Sequence, residues 1–212
     1  LILKSSNKDS SEFWSQVAND YEEKFLNLSI YNDSYDLFCD EIKTSKPSIL
    51  DIGCGPGNIS KYISDKIPDA DILGIDYSEK MIQLAKKNVP NGEFEVMDCR
   101  EINKINKKFD AIISGFCLPY LDGKEADFFF SDINNLLNNN GIFYLSFVEG
   151  NPKDSKYQTN SHGNRSFFNF HLLEEIKEKL EKLRFKNFQI MRIDYNRSET
   201  ETEIHTIIIV KK

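Results

Sequence analysis

From Ser48 to Ile75 the chain sets out a short apolar run, Ser48 to Ile52, then the loop Gly53-Cys54-Gly55-Pro56-Gly57, then a segment from Asn58 to Ile67. Ile59, Tyr62, Ile63 and Ile67 of that segment share one helical face, and a second short apolar run follows at Asp71 to Ile75. A period that switches from strand to helix and back predicts a β-α-β unit. The helix is the crossover that a parallel strand pair needs, and parallel sheets are covered on both faces. The glycines therefore fall at the carboxyl end of a strand, where an open α/β sheet leaves a crevice for a ligand. Without a Cβ, glycine lets the backbone come close to that ligand. The helix that follows directs the positive end of its dipole at the loop, which suits a carboxylate or phosphate.

The same rhythm continues downstream. Ser78 is placed as the N-cap of a helix over 78–88, strands are expected at 93–97 and 109–114, a helix at 124–138 and a strand at 142–148. Asn140-Gly141 is expected to cap the preceding helix. Upstream, Phe13, Trp14, Val17, Ala18, Tyr21, Phe25 and Leu28 predict a helix over 11–27, after a polar, frayed start, and a second helix covers 31–43 before Pro47. Residues 151–165 are polar and without period, the pattern of a mobile lid. A helix over 171–183 precedes two β-forming segments, around Phe188 to Ile193 and over 204–210, whose short connection makes them antiparallel. The whole reads as an α/β domain, with 1–47 forming helices over the site and 48–212 the core.

Two acids accompany the loop. Asp76 ends the second strand some twenty residues on, where a carboxylate can accept hydrogen bonds from both ribose hydroxyls of an adenosine. Asp98 follows the next strand and is placed to reach an adenine edge. The glycine spacing is G-x-G-x-G, with Asn58 where a dinucleotide fingerprint would carry its third glycine, which argues against a nicotinamide cofactor.

Composition bounds the rest. With 212 residues, 40% hydrophobic and 29% charged, the chain suits one globular domain, and no apolar run is long enough to span a bilayer. The apolar Leu1-Ile2-Leu3 passes directly into polar residues, so no export signal is expected. A net charge of -7 opposes nucleic-acid binding. Cys39, Cys54, Cys99 and Cys117 stand far apart, as free thiols of a reducing cytoplasm do, and no metal site is expected.

These motifs resemble the class I S-adenosylmethionine-dependent methyltransferases of the small-molecule type, over about residues 11–212 and most strongly over 48–148. The resemblance implies a Rossmann-like, doubly wound seven-stranded sheet of order 3-2-1-4-5-7-6, strand 7 antiparallel, with helices on both faces. It implies S-adenosylmethionine as cofactor. Asp51, Gly53, Cys54, Gly55 and Gly57 would surround its methionine end, Asp76 would hold its ribose, Asp98 and Cys99 would lie by its adenine, and Tyr77 and Met81 would also bind it. Ser114 to Phe116 would pass under the cofactor, and Tyr21 would fold over it from the first helix. Arg184-Phe185 departs from the family's usual Gly-Phe after the last helix.

The implied reaction is in-line methyl transfer to a small-molecule acceptor by a monomer or homodimer, without nucleic acid or membrane. A non-catalytic S-adenosylmethionine- or S-adenosylhomocysteine-binding regulator, or an NAD(P)-dependent oxidoreductase, are the competing readings. A base is needed only for a protonated acceptor, and the candidates are His162, His171 and Tyr120, with His205 ranked behind them. Phe116, Tyr120, Tyr157, Phe167, Phe168 and Phe170 would line an acceptor pocket, and Arg165 could meet an anionic acceptor.

Overall fold

The structure, a computed structural model, describes residues 7–160, 163–198 and 200–212, with side chains from Phe13 onward. Its core is a seven-stranded sheet. The strands are β1 (Ser48–Ile52), β2 (Asp71–Asp76), β3 (Glu93–Val96), β4 (Phe109–Gly115), β5 (Leu137–Val148), β8 (Lys186–Asn196) and β9 (Thr202–Lys211). Their order is β3-β2-β1-β4-β5-β9-β8, with β9 antiparallel to both neighbours. This is the expected 3-2-1-4-5-7-6 arrangement, with one small hairpin inserted in the chain before the last pair.

The central strands are apolar on both faces, whereas the edge strands β3 and β8 carry exposed polar residues. Leu50, Ile52, Ile112, Phe143, Ile208 and Val210 face a core shared with α5 (Gly123–Leu136) and α6 (Leu173–Lys182). Their neighbours Ile49, Ala111, Ile113, Tyr144, Ile207 and Ile209 face a second core under α2 (Asn32–Glu41) and α3 (Asn58–Lys66). A sheet buried on both sides has no polar face to alternate with.

α4 (Glu79–Asn88) begins where expected, with the Ser78 hydroxyl accepting from the Met81 N–H at 3.3 Å. α1 (Asn7–Phe25) lies outside the sheet and sets Ala18, Trp14 and Tyr21 against Met81 and Leu84 of α4. Its start at Asn7 means that part of the expected frayed segment is helical; Leu1 to Ser6 lie outside the described residues. No helix among the described residues is long and apolar enough to cross a membrane.

Two expectations are corrected. Asn140-Gly141 does not cap α5, which ends at Leu136; both residues belong to β5. Phe109 pairs with Leu137 but Ala111 with Ile142, so β5 bulges between them and Asn140 takes φ 64°. The polar stretch 151–165 is not irregular either. β6 (Lys156–Thr159) pairs antiparallel with β7 (Arg165–Phe168), and Asn160, in the turn, donates to the Phe13 carbonyl of α1 at 3.3 Å.

The departure at Arg184 has a measurable cost. The Arg184 N–H bonds to the Glu181 carbonyl (2.9 Å) and the Phe185 N–H to the Leu180 carbonyl (3.1 Å), the hydrogen-bond pair of a Schellman cap. Arg184 sits at φ 68°, a left-handed conformation that costs an L-residue with a Cβ on the order of 1 kcal/mol. Arg184→Gly is therefore expected to stabilise the protein by about 1 kcal/mol in urea unfolding, while Arg184→Ala leaves stability within a few tenths.

Candidate active site

The loop after β1 is pinned to the end of β2. Gly53 and Cys54 both donate their N–H to the Ile75 carbonyl, at 2.8 and 2.9 Å, and Gly57 donates to Cys54 at 3.0 Å. Gly55 donates to Asp76 Oδ2 at 3.0 Å, while Asp76 Oδ1 accepts from the Ser78 N–H at 2.8 Å. The N–H groups of these four residues are thus used inside the protein. What the glycines supply is close approach, with Gly53 at φ 71° and Gly55 at φ 54°, both in the left-handed region.

Beneath the loop lies Asp51, fully buried. Ser60 donates its hydroxyl to Asp51 Oδ2 at 2.6 Å, but Oδ1 has no partner among the described residues. Burial pushes the Asp51 carboxyl up to about 7, against the Ser60 hydrogen bond and aided by the charge of Asp76. Burial likewise raises Asp76 to about 6, opposed by the N–H groups of Ser78 and Gly55. Two carboxyl groups held away from water and without a salt-bridge partner among the described residues make this end of the crevice receptive to a cation.

A cavity of about 350 Å³ opens at the carboxyl ends of the parallel strands. Of the residues expected around a cofactor, Tyr21, Gly53, Gly55, Asp76, Tyr77, Met81, Asp98, Cys99 and Phe116 line it. Asp51, Cys54, Gly57 and Ser114 do not; they sit behind the wall, and the buried Ser114 Oγ also lacks a partner among the described residues. Asp98 is already engaged, accepting from the Arg100 N–H at 2.9 Å and pairing with its guanidinium at 3.0 Å. Arg100 also reaches Glu125 (2.9 Å) and the Tyr120 carbonyl (2.7 Å), bracing the wall; nothing in its sequence context marked it.

The second half of the cavity lies across β4, β5 and β9. Trp14, Phe116, Tyr120 and Phe168 give it aromatic walls, and Tyr31, Tyr195, Arg197, Glu203 and His205 complete it. Phe116 adopts φ 56° in the bend after β4, with its N–H held by the Ser146 carbonyl at 2.9 Å. The candidate bases divide. Tyr120 lines the cavity, whereas His171 is buried outside it, with Nε2 3.2 Å from the Leu118 carbonyl, and His162 lies outside the described residues. Tyr157 and Phe167 meet edge to face away from the cavity, Phe170 covers Gly150, and the Arg165 guanidinium lies over the Tyr157 ring. His205, ranked last in sequence, is the described histidine that reaches the wall. A single imidazole inside the strand Ile204 to Val210 was the signal for it. Among the described residues no group of three His, Cys, Asp or Glu side chains could hold a metal.

Comparison with known proteins agrees with this geometry. A family model described as a methyltransferase domain matches residues 49–141. A putative methyltransferase, 235L, of Invertebrate iridescent virus 6 is 36% identical over 133 residues, which are 62% of this chain and 47% of that protein. The chain thus spans about half the length of that curated relative. The Burkholderia thailandensis 1,6-didemethyltoxoflavin-N1-methyltransferase, solved with 1,6-didemethyltoxoflavin and S-adenosylhomocysteine, superposes with a TM-score of 0.72 at 15% identity, covering 97% of this chain and 88% of that one. The magnesium protoporphyrin IX methyltransferase of Synechocystis, solved with S-adenosylhomocysteine, gives 0.71 at 15% identity, covering 97% and 99%. Residues 49–141 thus match a methyltransferase domain, and the chain shares its fold with S-adenosylmethionine-dependent methyltransferases. The matched segment holds the glycine loop, Asp51, Asp76, Asp98 and Phe116.

The buried acid makes a pH signature. The folded Asp51 keeps its proton up to about 7, whereas in the unfolded chain it ionises near 4, at about 3.9. Between those values the folded state binds the extra proton, so the Asp51 contribution falls as pH rises and is fully lost above the folded value. Asp51→Asn should therefore gain stability relative to the unmodified protein between about pH 4 and pH 8, by on the order of 4 kcal/mol. Urea unfolding of both proteins across that range measures it, and a pH-independent difference would contradict the burial assignment.

Proposed function

We propose that this protein transfers the methyl group of S-adenosylmethionine to a small-molecule acceptor. The observation that carries the reading is the charge around the glycine loop: Asp51 and Asp76, both buried and both raised, with Asp51 Oδ1 unpartnered among the described residues. That environment opposes a pyrophosphate and favours a ligand whose cationic end sits at the loop, as the ammonium of a methionine moiety would. The residues present fit the cofactor in this respect.

Asp51 offers its charge from behind the loop, while Gly53 and Gly55 let the methionine end approach. The N-terminus of α3 faces the same loop and favours a carboxylate there. Asp76 keeps lone-pair capacity for ribose hydroxyls beyond the backbone donors Ser78, Gly55 and Tyr77 that it already serves. Asp98, Cys99 and Met81 stand along the wall on the β2–β3 side for the adenine. The N-terminal helices over residues 7–41 act as the cap, with Trp14, Tyr21 and Phe25 on its inner surface. When bound, the cofactor supplies an electrophilic methyl on a sulfonium, so the protein's contribution is to orient the acceptor in line and exclude water.

Binding measurements test this directly. S-adenosylhomocysteine should raise the melting temperature and NADH should not. In calorimetry, Asp76→Ala should weaken S-adenosylhomocysteine by about 1–3 kcal/mol, the range for losing hydrogen bonds to a charged group. A shift with NADH and none with S-adenosylhomocysteine would sink the reading.

A further inference from the structure

Across the sheet from Asp76 and Asp98, three polar side chains form a connected chain in otherwise aromatic surroundings. His205 begins the buried part of β9 and pairs with Val148 at the end of β5. Because β9 runs antiparallel, its first residues lie at the carboxyl edge of the sheet, level with the cavity. The His205 Nδ1 is 2.7 Å from the Tyr31 hydroxyl, and Nε2 is 3.4 Å from Glu203 Oε2. The imidazole stacks on Tyr195 at 4.6 Å and 13°, and Phe116 meets its face edge-on at 4.7 Å. Arg197 holds the other oxygen of Glu203 at 2.8 Å. Tyr31, Tyr195, Glu203, Arg197 and His205 all line the cavity.

The donor pattern of this chain is determined by its members. A carboxylate only accepts, so the imidazole nitrogen facing Glu203 carries the hydrogen and Nδ1 presents a lone pair. Tyr31 must then donate its O–H to Nδ1, which leaves the hydroxyl oxygen free to accept a second hydrogen from a ligand. Burial raises the Tyr31 hydroxyl above its ordinary value, so it passes a proton on and does not store a negative charge.

We propose that Tyr31, His205 and Glu203 are a proton relay for the acceptor, and that the acceptor is an uncharged aromatic hydroxyl. The proposal rests on the methyltransferase reading above and deepens it. As the acceptor oxygen's lone pair forms the bond to the methyl carbon, the carbon–sulfur bond breaks and its electron pair stays on sulfur. The acceptor's proton moves to Tyr31 Oη and Tyr31's own proton to His205 Nδ1. The positive charge lost at sulfur reappears as an imidazolium beside Glu203. A relay of this kind is useful only to a nucleophile that is protonated at working pH, as a phenol near pKa 10 is. Flat aromatic walls suit a planar acceptor. The two arginines of the lining each already face a carboxylate, Arg197 that of Glu203 and Arg100 those of Asp98 and Glu125, so neither brings an uncompensated positive charge to the cavity. Tyr31 is the catalytic residue of this scheme; His205 and Glu203 act through it.

Two phenols separate the relay from a merely structural cluster. At about pH 8, 4-methylphenol is protonated while 4-nitrophenol is largely ionised and needs no base. Methylation of both by the intact protein is expected. Tyr31→Phe and His205→Gln should lower kcat on 4-methylphenol about a hundredfold or more, with KM and S-adenosylhomocysteine affinity changed less than about threefold, and should barely affect 4-nitrophenol. Nitrogen-15 NMR of the unmodified protein, whose chain holds only three histidines, should show His205 as the Nε2–H tautomer, with Glu203→Gln disturbing it. Equal loss on both phenols, or an Nδ1–H tautomer, would overturn the relay. Tight S-adenosylhomocysteine binding with neither phenol methylated would overturn the acceptor class, whereas no S-adenosylhomocysteine binding at all would indict the cofactor reading instead.

Discussion

A carboxylate taken out of water has to be compensated, and the way Asp76 is compensated organises the site. One oxygen takes the Gly55 N–H from the loop after β1, and the other takes the Ser78 N–H at the start of α4. The same side chain therefore ties the first β-α turn to the second. Ser78 in turn caps α4 and meets the Ser15 hydroxyl of α1 at 2.9 Å, so the outer helix is referenced to the same point. Asn88 at the far end of α4 repeats the arrangement, bonding to Glu22 of α1 at 2.7 Å and to the Pro56 carbonyl at 2.9 Å. Loop, helix and cap are held as a unit because each supplies a donor that a buried acceptor requires.

The core was legible because its signals are local and repeated. The parallel strands β1, β2 and β4 are buried on both faces, so their apolar runs are continuous, and the turns between carry glycine, Asp or Ser at the positions where backbone geometry demands them. The glycine loop, Asp76 and Asp98 could be placed in register because chain connectivity alone puts successive strand ends along one edge. The small hairpin was missed for the opposite reason. Lys156 to Thr159 and Arg165 to Phe168 are short and mixed in polarity, and Tyr157 and Phe167 reward pairing only with each other. The bulge around Asn140 was hidden because Asn-Gly carries the same local preference in a helix cap and in a distorted strand.

The acceptor half was far less readable. Tyr31, Phe116, Tyr195 and His205 come from four separate parts of the chain and meet only through the sheet order. No spacing rule connects residues 31 and 205. Strain adds a further marker that sequence hides: Phe116, a bulky residue at φ 56°, is held by the Ser146 carbonyl so that its ring enters the cavity. His171 illustrates the reverse case, a residue of suitable chemistry whose ring is turned toward the Leu118 carbonyl.

The antiparallel course of β9 has a consequence for how such a site diversifies. Parallel strands can contribute only their final residues to the ligand edge, and here those positions largely line the end of the cavity near the glycine loop. A strand entering from that edge contributes its first residues instead, at the tip of a hairpin whose outer neighbour, β8, is half exposed. Exchanging the side chains at 195, 197, 203 and 205 leaves the loop after β1 and its acids untouched. Selection can therefore revise what is modified without renegotiating how the donor is held.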